Sequence, residues 1–405
     1  MLKIALVALS ASNTSASDIA SNTSASDTSA ESADCGPLAL AHAMAARGHR
    51  ITVYARRAGP RQPAAITLDS GVTVQYLPAG PAAGLPAVQL GQHVRQFADG
   101  LAGCWRRDRP DVAHAWFWAS GLAALAVSRD QHVPVVQTFA SLGAAELRHR
   151  LPVHGPPGRI RLEASIARAV SAVLAGSCEE TAELAGLGVP PATVRIVPCG
   201  VDTNRFTPNG PATRRSARPR LLACAPLEPG QGLETVIRAL PQAPDAELVI
   251  IGGPYRRLLR GMPYYRTLAG LAASAGVRDR VVFTGRIPDG DRPAWLRSAD
   301  VFVSAAPHEP FGVATVQAMA CGLPVVATSV GANQDAVIEG ATGLLVPPGR
   351  PRQLGQRLRD LLGAPARWGT LGAAGADRAG SRYSWERISQ ETLTAYQHSA
   401  RQPAA

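Results

Sequence analysis

The sequence contains almost no lysine. Lys3 is the only lysine among 41 basic residues, and the formal net charge is +11. The arginines are scattered along the chain, and no basic block with interleaved aromatic residues occurs, which argues against a nucleic-acid partner. Arginine in place of lysine, together with abundant Ala, Gly and Pro, indicates a compositional bias of the coding genome rather than a phosphate-binding face.

Long hydrophobic runs, paired cysteines and several catalytic motifs are also missing. No run approaches the ~18–20 apolar residues that span a bilayer. The six cysteines occur singly, without C-x-x-C spacing, and we expect small buried thiols in a reducing, cytoplasmic compartment. No P-loop, no G-x-G-x-x-G after the first strand, no H-E-x-x-H and no G-x-S-x-G occurs, which excludes kinases, dehydrogenases, zinc proteases and esterases of those types.

The first nine residues, "MLKIALVAL", could be a signal peptide or a strand. Their apolar core runs only from Ile4 to Leu9, shorter than the ~7–15 residues typical of a signal peptide. A short continuous apolar run is equally typical of a buried parallel strand. The length favours the strand.

Residues 11–33 are of low complexity. The heptad "SNTSASD" occurs twice, and the stretch has almost no apolar content. Nothing in it can offset the entropic cost of ordering the backbone. We therefore predict a disordered or poorly packed loop that proteases cut first.

Beyond this loop, short apolar runs alternate with helical patterns. The first series of predicted strands covers 50–55, 71–77, 111–116, 133–139, 172–177 and 194–200, and the second covers 220–225, 246–253, 280–285, 300–306, 324–330 and 342–348. A helical pattern such as 38–48 separates successive strands, and this alternation is typical of parallel sheets covered on both faces. A chain of 405 residues is too long for one ordinary core. We predict an α/β fold of two tandem, doubly wound, Rossmann-like domains.

The boundary between these domains is expected at residues 207–219, "TPNGPATRRSARP", which have the Pro, Gly and Arg content of a linker. The predicted domains are then 1–206 and 220–382. Ligands of such sheets bind outside the carboxyl ends of the strands, so a cleft between the domains is the expected site.

Several segments in order resemble the retaining glycosyltransferases of family 4, which have the GT-B fold. The segments are "VRIVPCGVDTNRF" (194–206), "GLETVIRALPQAPDAELVIIGGP" (232–254), "VVFTGRIP" (281–288), the block 299–349 and "YSWERISQETL" (383–393). The resemblance covers nearly the whole chain and is most specific from Asp300 to Gly349. It also implies that a last helix, in residues 383–405, crosses back to the first domain.

The resemblance implies a reaction. Such enzymes transfer a sugar from a nucleotide diphosphate to an acceptor hydroxyl with retention of the anomeric configuration. They generally need no bound metal and no cofactor besides the nucleotide-sugar co-substrate. Protein groups must then stabilise the charge of the leaving diphosphate, through helix N-termini, glycine-rich turns and cations.

The stretch "HEPFGVATVQAMACG" (308–322) contains one such group. Pro310 and Gly312 precede a helical run from Val313 to Ala320, so the amides of Gly312, Val313 and Ala314 are expected to face an anion. The resemblance places a donor-sugar contact, our candidate catalytic residue, at Glu309. It places a ribose contact at Gln317, where the family has a glutamate. Gln317 keeps one carbonyl acceptor and lacks the bidentate anionic one.

Other positions depart from the family pattern. Pro226 and Gln231 stand where the family has an Arg and a Lys for the diphosphate. Further departures are Ala140 and Trp116 at histidine positions, Asp34 at an asparagine position, and Glu31 and Ser32 at glycine positions. Each charge-assisted contact to the diphosphate contributes about 1.5–3 kcal/mol, so the absence of two cations removes about 3–6 kcal/mol of interaction free energy. This corresponds to about 10²–10⁴ in rate if the contacts act in the transition state.

Other arginines are weighed as replacements for these cations. They are Arg286, Arg256, Arg257 and Arg220, each of which is also consistent with a solvated surface residue. We assign Arg286 to the donor site. His114 and His308 end strands, but a lone histidine is more often structural than catalytic.

Two functions from different classes stay open. One is a divergent glycosyltransferase that uses a nucleotide sugar and an unknown acceptor. The other is a catalytically impaired relative that acts as partner or regulatory subunit of an active glycosyltransferase. A peripheral membrane contact is left open as well, whereas the donor nucleotide, the sugar and the acceptor cannot be inferred from the residues.

Overall fold

A computed structural model describes residues 1–9, 36–85, 87–153 and 155–401. The low-complexity segment 11–33 and Asp34 lie outside these residues, so the predicted disorder of that segment stays a prediction. The described chain divides into two compact units. The first contains residues 1–9, 36–199 and 385–401, and the second contains residues 200–384.

The first unit is built on an eight-stranded sheet whose order is β3-β4-β2-β1-β5-β6-β7-β8. Its strands are β1 (Lys3–Ala8), β2 (Arg50–Arg56), β3 (Ala65–Thr67), β4 (Thr73–Leu77), β5 (Val112–Trp116), β6 (Val135–Thr138), β7 (Ala172–Ala175) and β8 (Val194–Ile196). All neighbours are parallel except β3, which pairs antiparallel with β4. The sequence did not predict β3, because three residues show no usable periodicity.

Strand β1 lies near the centre of this sheet, parallel to β2 on one side and to β5 on the other. Residues Ile4 to Val7 are buried on both faces, which explains why they form a continuous apolar run. The strand interpretation of the chain start is therefore confirmed.

Helices cover the first sheet. They are α1 (Pro37–Ala45), α2 (Val94–Arg107), α3 (Phe117–Gln131), α4 (Gly143–Arg148), α5 (Arg159–Ala169) and α6 (Cys178–Gly186). Phe97, Leu101 and Trp105 recur along α2 with helical spacing, and all three are buried in the core of the unit.

The second unit is built on a six-stranded, all-parallel sheet whose order is β11-β10-β9-β12-β13-β14. Its strands are β9 (Arg220–Cys224), β10 (Glu247–Ile251), β11 (Val281–Gly285), β12 (Val301–Ser304), β13 (Val325–Thr328) and β14 (Gly343–Val346). The chain reverses its direction of winding between β9 and β12, which places the crevice of a doubly wound sheet at the carboxyl ends of these two strands.

The helices of the second unit connect these strands. They are α7 (Leu233–Ala239), α8 (Pro263–Ser274), α9 (Arg292–Arg297), α10 (Val313–Ala320), α11 (Gly331–Ala336), α12 (Pro351–Leu362) and α13 (Pro365–Tyr383). Helix α10 has the bounds that the sequence predicts. Apolar residues of the sheet and helices form two clusters, one on each face. The predicted fold of two doubly wound α/β units is confirmed.

The segment predicted as a linker belongs to the second unit. Arg297 donates to the carbonyl of Pro211 at 2.8 Å, and Arg215 forms an ion pair with Asp300 at 2.9 Å. Phe206 is fully buried in a core cluster of the second unit. The division falls at residues 199 and 200. Linker-like composition marked an exposed segment here, but hydrogen bonds hold that segment against one unit.

The last helix, α14 (Trp385–Arg401), belongs to the first unit. Its Tyr396 is fully buried and hydrogen-bonds His114 of β5. Just before it, Val201 forms a bridge with Ser384, and the Val201 amide donates to the carbonyl of Tyr383 at 2.7 Å. The chain therefore changes unit at residues 384 and 385.

The expectation of buried thiols fails at three of the described cysteines. Cys178 is exposed, Cys224 is only partly buried, and Cys199 is disulfide-bonded. Cysteine spacing alone does not reveal which side chains the fold brings together. No helix among the described residues is long and apolar enough to cross a membrane.

Candidate active site

Two loops of the second unit meet at the carboxyl ends of neighbouring strands. One follows β9 and contains residues 225–232, and the other follows β12 and contains residues 305–312. Gly232 has φ +75°, and a Cβ there would lie 2.0 Å from the carbonyl oxygen of Ala305. Only glycine fits this contact, since any other residue would be strained and would collide with backbone. The loops are thus held together in the crevice of the sheet.

The loop after β12 is fixed by its own carboxylate. Gly312, with φ +63°, directly precedes α10, and its amide donates to Oε1 of Glu309 at 3.0 Å. The Gly312 amide, one of the three expected to face an anion, thus already has Glu309 as its acceptor. Val313 and Ala314 are the first two residues of α10, and their amides have no acceptor within the helix.

Glu309 is half-buried and rigidly placed. Its backbone carbonyl accepts from the amide of Ala332 at 2.8 Å, which ties the loop to the first turn of α11. Burial raises the pKa of the Glu309 carboxyl above its usual value, although hydrogen bonds from Gly312 and Phe311 oppose the shift. The side chain is thus an oriented acceptor at the start of α10 rather than a solvated charge.

Gln317 lies one turn into α10 and is only 1% exposed. Its Oε1 is 3.5 Å from Nη1 of Arg292, the first residue of α9. Arg292 also pairs with Asp289 at 3.2 Å, and Asp289 in turn pairs with Arg205 at 2.6 Å. Gln317 thus lies beside Arg292, which belongs to an ion-paired group with Asp289 and Arg205. Sequence reasoning missed Arg292, because nothing in the linear spacing relates it to Gln317.

Arg292 also affects the pKa of a thiol at the end of β9. Burial raises the pKa of the Cys224 thiol to about 11, and the charge of Arg292 partly opposes this shift. Cys224 is the last residue of β9, two residues before Pro226. Neither Pro226 nor the partly buried Gln231 provides a cation on the loop that follows. Arg292, from a different element, therefore brings a positive charge near this strand end.

The other arginines considered for the diphosphate are distributed over both edges of the sheet. Arg286 directly follows β11 and lies 5.9 Å from the ring of Tyr255, and Arg257 lies 5.8 Å from the same ring. Arg220 cannot serve at the crevice. It is the first residue of β9, only 5% exposed, and donates to Glu247 at 2.7 Å, so it lies at the opposite edge.

Comparison with known proteins identifies the family. Residues 211–372 match the family described as "Glycosyl transferases group 1", and residues 38–205 match "Glycosyltransferase Family 4". The D-inositol 3-phosphate glycosyltransferase of Jonesia denitrificans is 31% identical over 389 residues, covering 88% of this chain and 89% of the relative. That of Xylanimonas cellulosilytica is 32% identical over 387 residues, covering 91% and 92%.

The chain belongs to glycosyltransferase family 4. Solved structures agree with this assignment. A sucrose-phosphate synthase from Thermosynechococcus elongatus matches with a TM-score of 0.83 and 26% identity, covering 98% of both chains. Anabaena HepE in complex with UDP and glucose matches with a TM-score of 0.72 and 19% identity, covering 97% of this chain and 99% of HepE, and shows the fold alone. The predicted GT-B fold is therefore confirmed.

In the first unit of this glycosyltransferase, Trp116 and Ala140 lie at one edge of the sheet. Trp116 ends β5 and pairs in register with Thr138, the last residue of β6. Ala140 follows β6 with φ +66°, and Phe117 follows β5 with φ +68°. Both strand ends thus turn through left-handed backbone that non-glycine residues seldom adopt and that is concentrated at functional sites.

His114, by contrast, is structural, as the sequence favoured. The Thr138 hydroxyl donates to the carbonyl of Leu174 at 3.3 Å and accepts from Nε2 of His114 at 2.9 Å. Nδ1 then accepts from the hydroxyl of Tyr396 at 2.7 Å. Burial lowers the pKa of His114 to about 3, so the imidazole stays neutral. This chain of bonds fastens α14 to the sheet of the glycosyltransferase.

The loop that carries Ala140 is held by a buried ion network that sequence reasoning missed. Arg159 of α5 pairs with Glu163 at 2.6 Å and with Glu146 at 3.0 Å. Its Nη2 donates to the carbonyl of Ser141 at 2.6 Å. Only Glu163, four residues after Arg159, has a spacing that could have indicated a pair in the sequence.

Proposed function

We propose that this glycosyltransferase transfers a sugar from a nucleotide-diphosphate donor to an acceptor hydroxyl with retention of the anomeric configuration. The proposal rests chiefly on Glu309, whose carboxylate is fixed by the Gly312 amide at the start of α10. A carboxylate held in this way can accept hydrogen bonds from sugar hydroxyls without losing side-chain entropy on binding.

In this proposal the diphosphate is bound by the first turn of α10. The amides of Val313 and Ala314 lack helical acceptors, and the helix dipole adds positive potential there. Arg286 is proposed as an additional donor contact. Such preorganised groups would stabilise the charge that develops on the leaving diphosphate.

Gln317 is proposed to accept from a ribose hydroxyl through its side-chain carbonyl. Nη1 of Arg292 donates to the same Oε1 at 3.5 Å, and an amide oxygen has a second lone pair that can accept from the ribose hydroxyl.

The names of the relatives provide the first acceptors to test. Two are described as D-inositol 3-phosphate glycosyltransferases, and one structural neighbour is a sucrose-phosphate synthase. We therefore propose a phosphorylated polyol or sugar as the acceptor class and D-inositol 3-phosphate as the first compound to assay.

Calorimetry with a panel of nucleotide sugars, followed by NMR of the product, tests the proposal. We expect one donor to bind and its product to keep the anomeric configuration. Glu309→Gln should leave UDP or GDP affinity within about twofold and lower kcat by about 10² or more, since it removes charge from a sugar contact. Glu339→Gln, which neutralises an exposed carboxylate of the same unit, is the matched control. An inverted product would refute retention, and an unchanged kcat in Glu309→Gln would refute the role of Glu309.

A second candidate is a catalytically impaired partner of an active glycosyltransferase. The observation that favours it is the absence of a cationic side chain at Pro226 and Gln231, on a loop that packs against the proposed donor loop. It predicts millimolar nucleotide affinity, about 4 kcal/mol of binding free energy, and no turnover with any donor. Micromolar binding of a nucleotide sugar that Glu309→Ala abolishes would eliminate this candidate.

A further inference from the structure

A long acid-free segment of the second unit is rich in arginine. No acidic residue occurs between Glu247 and Asp279, and the segment contains five arginines, Arg256, Arg257, Arg260, Arg266 and Arg278. All five are exposed. Within the part of the chain that the structure describes, none of the five forms an ion pair with a carboxylate. Their charge is therefore available to a partner.

Three of these arginines share one short helix with exposed apolar side chains. A 3₁₀-helix covers Arg256–Gly261, directly after Tyr255. Side chains three residues apart lie in line on such a helix. Tyr255 and Leu258 thus form an apolar row, and Arg257 and Arg260 form a basic row beside it. Tyr255 is 50% exposed and Leu258 is 53% exposed, so the apolar row points to solvent.

Five residues define this surface: Tyr255, Arg256, Arg257, Leu258 and Arg260. A buried residue and backbone hydrogen bonds fix it to the unit. Leu259 is buried in the core of the unit. The Leu258 amide donates to the carbonyl of Tyr255 at 2.8 Å, and the Met262 amide donates to that of Leu259 at 2.9 Å. The exposed rows therefore belong to a folded element rather than to a loose loop.

We propose that the Tyr255–Arg260 surface docks the protein on an anionic phospholipid bilayer. Arginines near such a surface are attracted electrostatically, and Tyr and Leu side chains partition into the headgroup boundary. The apolar row favours lipid over nucleic acid, because an exposed leucine adds nothing to a phosphate backbone contact. No described helix can span a bilayer, so the proposed association is peripheral.

Flotation with the full chain tests this proposal. Vesicles of phosphatidylglycerol and phosphatidylcholine are compared with vesicles of phosphatidylcholine alone, without nucleotide and at two salt concentrations. We expect binding only to the anionic vesicles, weakened by salt. Arg257→Ala with Arg260→Ala should weaken partitioning by about 25-fold, about fivefold for each charge. Leu258→Ser should weaken it by at least about threefold with no change in salt dependence.

Matched controls lie elsewhere on the same unit. Arg352→Ala with Arg367→Ala removes the same charge from other exposed positions, and Ile338→Ser removes an apolar side chain that is 46% exposed. These variants should change partitioning by less than about twofold. Equal losses in variants and controls, or no binding of the wild type to anionic vesicles at low salt, would overturn the proposal. Tighter binding to single-stranded RNA than to vesicles, lost in the same arginine variant, would assign the surface to nucleic acid instead.

The outcome does not depend on the proposed donor site. The vesicle assay contains no nucleotide, and calorimetry of each variant with UDP or GDP provides a separate measurement. All substituted side chains are exposed, so the melting temperature of each variant should stay within about 2 °C of that of the wild type. A loss of vesicle binding with unchanged nucleotide binding supports the docking surface alone.

Discussion

Gln317 and Arg292 face each other, with Oε1 and Nη1 3.5 Å apart, although 25 residues separate them in the chain. A glutamate at position 317 would form an ion pair with that guanidinium. The amide is neutral and accepts a hydrogen bond from the guanidinium, which also pairs with Asp289. The amide of Gln317 therefore faces a cation that lies on another helix.

Adding cations to the loop after β9 should strengthen the donor site. Pro226→Arg with Gln231→Lys is expected to tighten binding of a nucleoside diphosphate by at least about tenfold, a gain that added salt should weaken. Gln317→Glu alone should help little, because its charge would pair with Arg292. Calorimetry at two salt concentrations measures both effects. Gln353→Lys with Thr370→Arg adds the same charge at exposed positions and should change the affinity by less than twofold.

Gly232 should tolerate no side chain. Gly232→Ala places a Cβ against the carbonyl of Ala305 and forces a left-handed backbone on alanine, so we expect a loss of about 1–3 kcal/mol in the free energy of unfolding. Gly270→Ala is the control, since this glycine of α8 has ordinary φ and open space around it, and should stabilise the protein by up to about 1 kcal/mol. Urea denaturation of both variants measures the difference, and equal stabilities would contradict the contact between the loops.

Glu180 should make the stability of the first unit depend on pH. Its Oε2 accepts from the Gly176 amide at 2.7 Å, and burial raises the pKa of its carboxyl from 4.5 to about 7. Because the folded protein holds the proton more tightly than the unfolded chain, the contribution is fully present below pH 4.5. It is lost as the pH rises to about 7.

Glu180→Gln should remove this loss and raise the free energy of unfolding at pH 8 by about 1–3 kcal/mol relative to the wild type. Denaturation at pH 5 and pH 8 measures the change. Glu183→Gln, on the same helix, provides a comparison at an exposed ion pair. A wild type and a Glu180→Gln variant with parallel pH profiles would contradict the raised pKa.

The bond between Tyr396 and His114 should stabilise the attachment of α14. Tyr396→Phe removes only the hydroxyl that donates to Nδ1 of His114. The buried imidazole nitrogen is then left without its donor. We expect a loss of about 1–3 kcal/mol in the free energy of unfolding. Tyr383→Phe, at the end of α13, removes a hydroxyl whose bond to Asp335 is longer, 3.2 Å, and should cost less. Hydrogen exchange of the α14 amides checks that the loss is local.

Some of the site could be read from the sequence and some could not. The bounds of α10 followed from the order of strand, Pro310, Gly312 and helix, whereas Glu309 was indicated by the resemblance to the family. Arg220 was considered as a phosphate ligand, although as the first residue of a predicted strand it had to lie at the amino edge of a parallel sheet. Arg292 was not considered, because only the packing of α9 near α10 brings it to Gln317.

The sequence by itself determined the two doubly wound sheets, since continuous apolar strands alternating with helical patterns can be buried in few other ways. The tertiary structure decided which polar groups meet. In the folded protein the Gly312 amide donates to Glu309, and Arg292 lies near Gln317 and Cys224. Residues 207–219 pack on the second unit. The physical reason is the range of the interactions. Burial patterns repeat over neighbouring residues and leave a local signal, whereas hydrogen bonds and ion pairs between distant segments depend on loop paths that no periodicity encodes.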